Sequence, residues 1–561
     1  MKLIAIFPCI AWMKAYQKSD FAGDVIAAII VTIMLIPQSL AYSLLAGLPA
    51  EVGLYASILP LMAYAIFGTS RTLSVGPVAV ASLMTAAVIQ NISTQNTVDP
   101  IAVAIILAML SGLFLVLMGV FRFGFISNLL SHPVISGFIT ASGIIIALSQ
   151  VKHILGVSSQ GDNIPSLLYS LSLSIHDTNI TTLLLGLFAL ALLFISRLSA
   201  RKLLTKMMPV IIVVLTTIIA YSFNLADKSL ALVGFIPSGM PSLQVPKFNM
   251  GLWLDLLVPA ILISIIGYVE SVSIGKTLAS KRRQKVDPDQ ELIGLGAANI
   301  ASSVSGGFPV TGGFSRSVVN FDAGEITQAA SIYTALGVAL VTFTLTGLLA
   351  FLPKATLAAT IIVAVLSLVD LSILKKAWKY SLSDFIAVFL TMVTTLILGV
   401  EVGVMCGVIA SIALHIYKTS KPHIAEVGEV DGTEHFRNVK RHQVTTHPSI
   451  LSLRVDESLY FVNASYLEDE IFKNIETKKE IKHLILMCTA IDEIDISALD
   501  VLVSVNQRLK DLDISFNLSE VKGPVMDTLN KSTFLEELNG QVFLSQHIAV
   551  DTISNSKRKN V

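Results

Sequence analysis

Ser74-Val75-Gly76-Pro77-Val78-Ala79 and Gly306-Gly307-Phe308-Pro309-Val310-Thr311-Gly312-Gly313 are the two stretches that decide how this chain is read. Both lie in apolar surroundings, yet each places Gly and Pro where an uninterrupted helix would break. Broken backbone at bilayer depth survives only where it is buried in protein or lines a wet cavity. The two stretches stand seven apolar segments apart, an odd spacing that inverts the second copy relative to the first. Matched broken segments in two halves point to a central binding site of a transporter. The competing reading is a pair of re-entrant or loop Gly/Pro clusters.

Working outward, apolar stretches recur at about 22–46, 52–69, 74–91, 100–120, 125–155, 180–197, 205–224, 252–280, 288–304, 308–323, 326–352, 355–370, 381–399 and 401–419. Some are too short for a regular span. The 561 residues are 53% hydrophobic with a mean hydropathy of +0.74, more apolar surface than a water-soluble core can bury. This excludes a soluble enzyme, and the continuous runs exclude a porin-type barrel. Cys9, Cys406 and Cys488 form no ligand or redox motif, so neither a metal nor a cofactor is expected, and no nucleophile–base pair suggests catalysis.

The net charge of zero divides near Ser420. Residues 1–420 hold 23 basic and 17 acidic side chains, and residues 421–561 hold 16 and 22. The first part is built for lipid and the second for water. No concentrated basic patch suggests nucleic acid. With loops assigned alternately, 17 Lys/Arg fall on the side of the N-terminus and four on the other, which predicts cytoplasmic termini in a plasma (inner) membrane protein. Residues 1–20 read as a helix lying on the membrane surface rather than a cleaved signal, because Trp12, Lys14, Tyr16 and Lys18 replace small residues after the apolar run.

A helix that starts in mid-membrane turns unpaired N–H groups and partial positive charge toward its cavity. Two facing starts make an anion site. Ser315 adds a hydroxyl and Arg316 a planar fork suited to oxyanions, unless Arg316 snorkels to an interface or pairs structurally. Glu270 lies about ten residues before Lys281-Arg282-Arg283, near mid-bilayer at about 1.5 Å per residue. It reads either as a proton carrier or as a static partner of Arg316 or Lys276. Gln38 and Tyr42 share a helix face after Pro37, as anion donors or as packing groups.

Together these segments resemble the sulfate permease (SulP) family of anion transporters. The resemblance rests on Leu35-Ile36-Pro37-Gln38-Ser39-Leu40-Ala41-Tyr42, Leu45-Ala46-Gly47-Leu48-Pro49, Gly53-Leu54-Tyr55-Ala56-Ser57, Gly68-Thr69-Ser70-Arg71, Ser74 to Ala79, and Asn299-Ile300-Ala301-Ser302-Ser303 leading into Pro309 to Arg316. It implies an α-helical polytopic membrane protein with about fourteen transmembrane segments in a 7+7 inverted repeat of core and gate domains. It also implies a homodimer whose core shifts like an elevator. Carried over by position, the anion contacts fall on Gln38, Tyr42, Val78, Ala79, Gly313, Phe314, Ser315 and Arg316, and the coupling carboxylate on Glu270. In the sodium-coupled bicarbonate branch, as the resemblance has it, an Asp stands at this position with a Thr one turn later. Here Glu270 and Ile274 stand there, which favours H+ over Na+, although Ser271, Ser273 and Thr311 also carry oxygens.

Beyond a linker at 421–447, residues 448–550 alternate strand-like runs (451–455, 458–463, 483–487, 515–518) with helical ones (464–476, 497–509, 524–529), a small α/β layer domain. This part resembles the STAS domain, with Ile494-Asp495-Ile496-Ser497-Ala498-Leu499-Asp500 as its signature. Ser497 reads as a helix N-cap or as a regulatory phosphorylation or ligand switch, as in soluble STAS relatives, and the domain has room for a cytosolic partner. Residues 551–561 read as a solvated tail. The domain divisions expected are therefore 1–20, 21–420, 421–447, 448–550 and 551–561. The function expected is proton-coupled sulfate symport. Its rivals are sodium-coupled bicarbonate transport, proton-coupled C4-dicarboxylate transport, an uncoupled anion channel or sensor, and a nucleobase transporter of similar architecture.

Overall fold

The computed structural model describes residues 7–95, 98–128, 132–159, 161, 163–198, 202–225, 230–246, 248–367 and 369–556. The chain forms two compact units, Met1–Ser411 and Ile412–Val561. Each of the fourteen apolar stretches contains helix. Among the described residues six helices are long and apolar enough to cross a membrane, including Lys18–Leu45, Pro100–Val120 and Leu257–Lys281, and shorter apolar helices accompany them.

The helices that position the site are α1 (Lys18–Leu45), α2 (Ala79–Gln95), α3 (His132–Leu155), α4 (Leu257–Lys281), α5 (Pro288–Val304), α6 (Phe314–Ala323), α7 (Lys354–Leu366), α8 (Ser372–Tyr380) and α9 (Leu382–Leu398). Before α1 lies a short helix, Cys9–Ala15, whose Trp12 meets Tyr16 edge-on at 6.3 Å. Pro37 sits inside α1 without an N–H to donate, which frees the carbonyl one turn earlier.

The two Gly/Pro stretches break as their composition demands. Val75–Gly76 (β1) and Thr311–Gly312 (β2) pair antiparallel, Val75 opposite Gly312 and Gly76 opposite Thr311, and helix begins only at Ala79 and Phe314. Buried side chains complete the backbone hydrogen bonding there. Ser74 N–H donates to Ser317 Oγ at 3.0 Å, Gly313 N–H to Ser74 O at 3.0 Å, and Asn299 both accepts from Val310 N–H and donates to Val310 O at 2.9 Å.

Two carboxylates that sequence patterning left unremarked also serve as anchors. Glu291 on α5 is fully buried and accepts from Tyr64 Oη (2.6 Å), Thr69 N–H (2.7 Å), Thr69 Oγ1 (2.6 Å) and Ser70 N–H (3.0 Å). Asp24 on α1, also fully buried, takes Ile326 N–H, Thr327 N–H and Thr327 Oγ1 at 2.6–3.0 Å. A buried carboxylate is tolerable when several donors surround it, and each of these binds one helix to a distant loop.

Two helices stand where loops were expected. Ile164–Ser174 is started by an Asn163–Ser166 capping box, and α8 fills the interval between the twelfth and thirteenth apolar stretches.

In the second unit a six-stranded sheet runs β4-β3-β5-β6-β7-β8, with β3 Ile424–Glu429, β4 Phe436–Asn438, β5 Ile450–Val455, β6 His483–Met487, β7 Ser515–Ser519 and β8 Val542–Phe543. Strands β5 to β8 are parallel, and β3 is antiparallel to both β4 and β5. The expected linker at 421–447 therefore contributes two strands to the sheet, because the alternating Ala425 and Val427 bury against the core. The expected strand at 458–463 is absent. Only Leu459 bridges to Ile494, and Asn463 folds back to accept the Tyr460 N–H at 3.1 Å, which turns the chain into α10 (Ala464–Thr477).

Candidate functional site

A cavity of about 230 Å³ lies where α1, α2, α4, α6 and α7 converge. It is lined by Gln38 and Tyr42 from α1, by Val78 and Ala79 at the start of α2, and by Glu270 from α4. Gly313, Phe314 and Arg316 close it from the start of α6. The predicted set is thus brought together apart from Ser315, whose side chain falls outside the described residues.

The geometry around the two helix starts explains what this cavity can hold. The intrahelical pattern begins with Ser82 N–H to Val78 O and Ser317 N–H to Gly313 O, so the N–H groups of the preceding turn have no acceptor within either helix. No side chain caps Gly313. Arg316, only 2% exposed, has both terminal guanidinium nitrogens buried without a hydrogen-bond partner among the described residues. It fits because Gly76 and Gly313 have no Cβ. One added at Gly76 would stand 3.0 Å from Nη1, and one at Gly313 2.8 Å from Nε. A buried cation beside two helix starts needs a counter-charge, and an oxyanion can satisfy the guanidinium and the N–H groups at once.

Glu270 faces the same cavity without bridging Arg316. Among the described residues no ion pair within 4 Å joins the two side chains. Glu270 also borders a second, small apolar cavity with Phe138, Ile139 and Val408. Its neighbour Ser271 donates to Gly267 O at 2.5 Å and accepts the Gly312 N–H at 2.8 Å, while Thr311 Oγ1 sits 3.4 Å from Ser271 Oγ. Ser273 is exposed.

A further cavity of about 210 Å³ shares Gln38 and Tyr42 with the first and extends it toward one end of the helices. Its walls include Met34 and Pro37 of α1, Ser196 near the end of Ile180–Leu198, Pro209 in Lys202–Ser222, and Thr360 and Ser367 around the end of α7. Counting crossings from the N-terminus, these positions lie toward the same side as the chain start.

Sequence reasoning did not find Ala364, Val365 and Ser367, which complete the main cavity from α7. Ala364 and Val365 carry no chemistry that composition could flag, and Ser367 stands among many hydroxyls at segment ends. In the second unit the expected cap is corrected. Asp495, not Ser497, caps α11 (Ile496–Asp511), accepting the Ala498 N–H at 2.8 Å, and Ser497 stands exposed in the first turn. Asp495 holds the extended N-cap position, whereas Ser497 is already the second residue of the helix, where a hydroxyl is not placed to accept the first-turn N–H groups.

Comparison with known proteins fits this geometry. The model of the sulfate permease family matches residues 21–391, and that of the STAS domain residues 441–549. The chain belongs to the sulfate permease family. Membership makes it a multi-pass membrane transporter rather than an enzyme. Within the family it is similar to "Sulfate transporter 4.1, chloroplastic" of Arabidopsis thaliana, 35% identical over 97% of this chain and 82% of that one. It is also similar to "Probable sulfate transporter MT1781" of Mycobacterium tuberculosis (strain CDC 1551 / Oshkosh), 32% identical over 97% of each chain. Among solved structures it matches the murine Solute Carrier 26 family member A9 anion transporter in the inward-facing state, with a TM-score of 0.90 and 25% identity over 98% of this chain and 94% of that one.

Proposed function

We propose that this sulfate permease is a secondary active transporter of an inorganic oxyanion, with sulfate as substrate and protons as the driving ion. The observation that carries the reading is Arg316, buried beside the starts of α2 and α6 with both terminal nitrogens lacking a partner among the described residues. The relatives named as sulfate transporters support sulfate among oxyanions.

Coupling follows from where Glu270 stands. Its carboxyl group borders the anion cavity on one side and an apolar wall on the other. A doubly charged oxyanion beside one guanidinium and an ionised Glu270 leaves two net negative charges to be carried. A proton on Glu270 removes one of them and lets the carboxyl group slide past Phe138 and Val408 without a desolvated charge. Sodium is disfavoured because Ile274 offers no oxygen and Ser271 is already committed to Gly267 and Gly312.

The β1–β2 pairing between the third and tenth apolar stretches supports a pair of inverted repeats, with the site on the core half. In this reading the core moves as an elevator in a homodimer, the structure is the state open toward the cytoplasm, and both termini and the STAS domain are cytoplasmic in a plasma membrane. The exposed Ser497 is available as a regulatory position on that domain.

The test is uptake of labelled sulfate, bicarbonate and succinate into proteoliposomes, with an inward proton or sodium gradient. Sulfate accumulation driven by protons, and lost in Glu270→Gln with anion binding retained, supports the proposal. Sodium-driven, pH-independent uptake, preference for bicarbonate or succinate, or current that follows the anion gradient without coupling would each overturn it.

A further inference from the structure

The segment Ser372-Ile373-Leu374-Lys375-Lys376-Ala377-Trp378-Lys379-Tyr380 is a helix, α8, with three distinct faces. At about 100° per residue, Ile373 and Ala377 share one face, Leu374 and Trp378 the adjoining one, and Lys375, Lys376 and Lys379 the remaining arc. The first face is buried, and Ile373 packs with Ala141 of α3 and with Val388 and Met392 of α9. On the second, Leu374 is half-buried against that same cluster and Trp378 stands out from it. Trp378 is 61% exposed and meets Phe385 edge-on at 4.7 Å, and Phe385 stacks on the exposed Phe389 at 5.7 Å. The third face is solvent-accessible, and none of its lysines has an ion-pair partner among the described residues. The nearby carboxylate Asp370 accepts the Ser372 N–H at 2.9 Å and lies close enough to Lys376 to feel its charge.

We infer that α8 lies in the plane of the membrane surface and binds the headgroups of acidic phospholipids. A Trp at the level where an exposed apolar stripe begins places the helix at the headgroup boundary, where such rings partition. The lysine arc then faces a layer whose charge is opposite to its own, and a basic in-plane helix gains from both contacts at once. A soluble acidic protein would meet the lysines but not the adjoining exposed rings of Trp378 and Phe389, so lipid is the occupant that uses both. The site also has a mechanical connection. Thr140 Oγ1 of α3 donates to Asp370 O at 3.3 Å and accepts the Asp370 N–H at 3.1 Å, so the chain between α7, which lines the anion cavity, and α8 is fixed to the same packing.

The experiment measures association of spin-labelled phosphatidylglycerol and phosphatidylcholine with the full-length protein in bilayers. The wild type is expected to prefer phosphatidylglycerol, with the preference eroded by salt. Each Lys→Gln change should lower that preference about two- to five-fold, and Lys375→Gln/Lys376→Gln/Lys379→Gln together should abolish it. The Lys→Arg triple variant should retain it. Melting in neutral lipid verifies that each variant is folded, and the single changes supply the reading if the triple does not fold. No preference in the wild type, or an undiminished preference in the folded Gln variants, overturns the proposal.

Discussion

Ser271 Oγ accepts the Gly312 N–H at 2.8 Å, so the helix that carries Glu270 is fastened to the strand that leads to Arg316. The carboxylate and the guanidinium belong to elements 41 residues apart at this bond, yet a single hydroxyl keeps their spacing.

Removing that hydroxyl isolates a buried N–H. Ser271→Ala should lower stability by about 1–3 kcal/mol, the cost of an unsatisfied buried donor. It should also raise the sulfate KM more than it lowers the maximal rate. Thermal melting and uptake kinetics on the same preparation check this. An unchanged melting point with an unchanged KM would show that the fastening is dispensable.

Arg316 should tolerate neither neutralisation nor a change of shape. Arg316→Gln is expected to abolish sulfate-dependent thermal stabilisation, and Arg316→Lys to weaken it about ten-fold or more, because an ammonium cannot replace the planar fork. Gly76→Ala leaves the charge in place but puts a methyl group 3.0 Å from Nη1, and should weaken binding while leaving expression intact. Sulfate titrations followed by melting temperature separate the three.

How much of this was legible in the sequence depends on which atoms did the work. The breaks at Gly76-Pro77 and Gly312-Gly313 could be read because backbone chemistry alone forbids a continuous helix there. Arg316 and Glu270 could be singled out because ionised groups in apolar runs are costly, although snorkelling or static pairing explained them equally well at that level. Ala364 and Val365 could not, since a cavity wall of small apolar residues looks like any packed span. The anchors Glu291 and Asp24 were passed over because they sit near polar segment ends, where a carboxylate is ordinary until its donors are seen. Residues 421–447 looked like a linker because their charged positions conceal the short alternation that makes β3 an inner strand.

In the STAS domain, Asp456 supplies a pH-dependent contribution. Burial alone would raise its pKa, but hydrogen bonds from Arg454 at 2.6 Å and His423 at 2.7 Å outweigh it and hold the carboxyl group below the usual range. A carboxylate with a lowered folded-state pKa stabilises above its unfolded pKa, about 3.9, and loses that contribution as pH falls through the folded value. Asp456→Asn should therefore cost about 1 kcal/mol at pH 7, for a pair this accessible, and progressively less as pH falls below about 4 toward the folded value. Hydrogen exchange of the β3 and β5 amides in the full chain, across that pH range, reads the difference.

Cys488 should resist alkylation in the native protein. Burial, with a smaller effect of Glu520, pushes its thiol up to about 12, so the reactive thiolate is scarce at pH 8. With Cys9 and Cys406 replaced by Ser, maleimide should label the chain only after denaturation. Rapid labelling of the folded protein would mean that the β6 end of the domain opens readily.

The two-residue ladder of β1 and β2 also sets a timetable for biosynthesis. Ser74 N–H reaches its acceptor on Ser317 only after 243 further residues have been made. At roughly 5–20 residues per second this is on the order of 12–50 seconds. Throughout that interval the first broken segment has polar backbone with no partner, which hydrocarbon does not tolerate. A nascent chain stalled before Gly312 should therefore remain at the insertion machinery rather than settle into lipid, so completion of the tenth segment is the step that commits the protein to the bilayer.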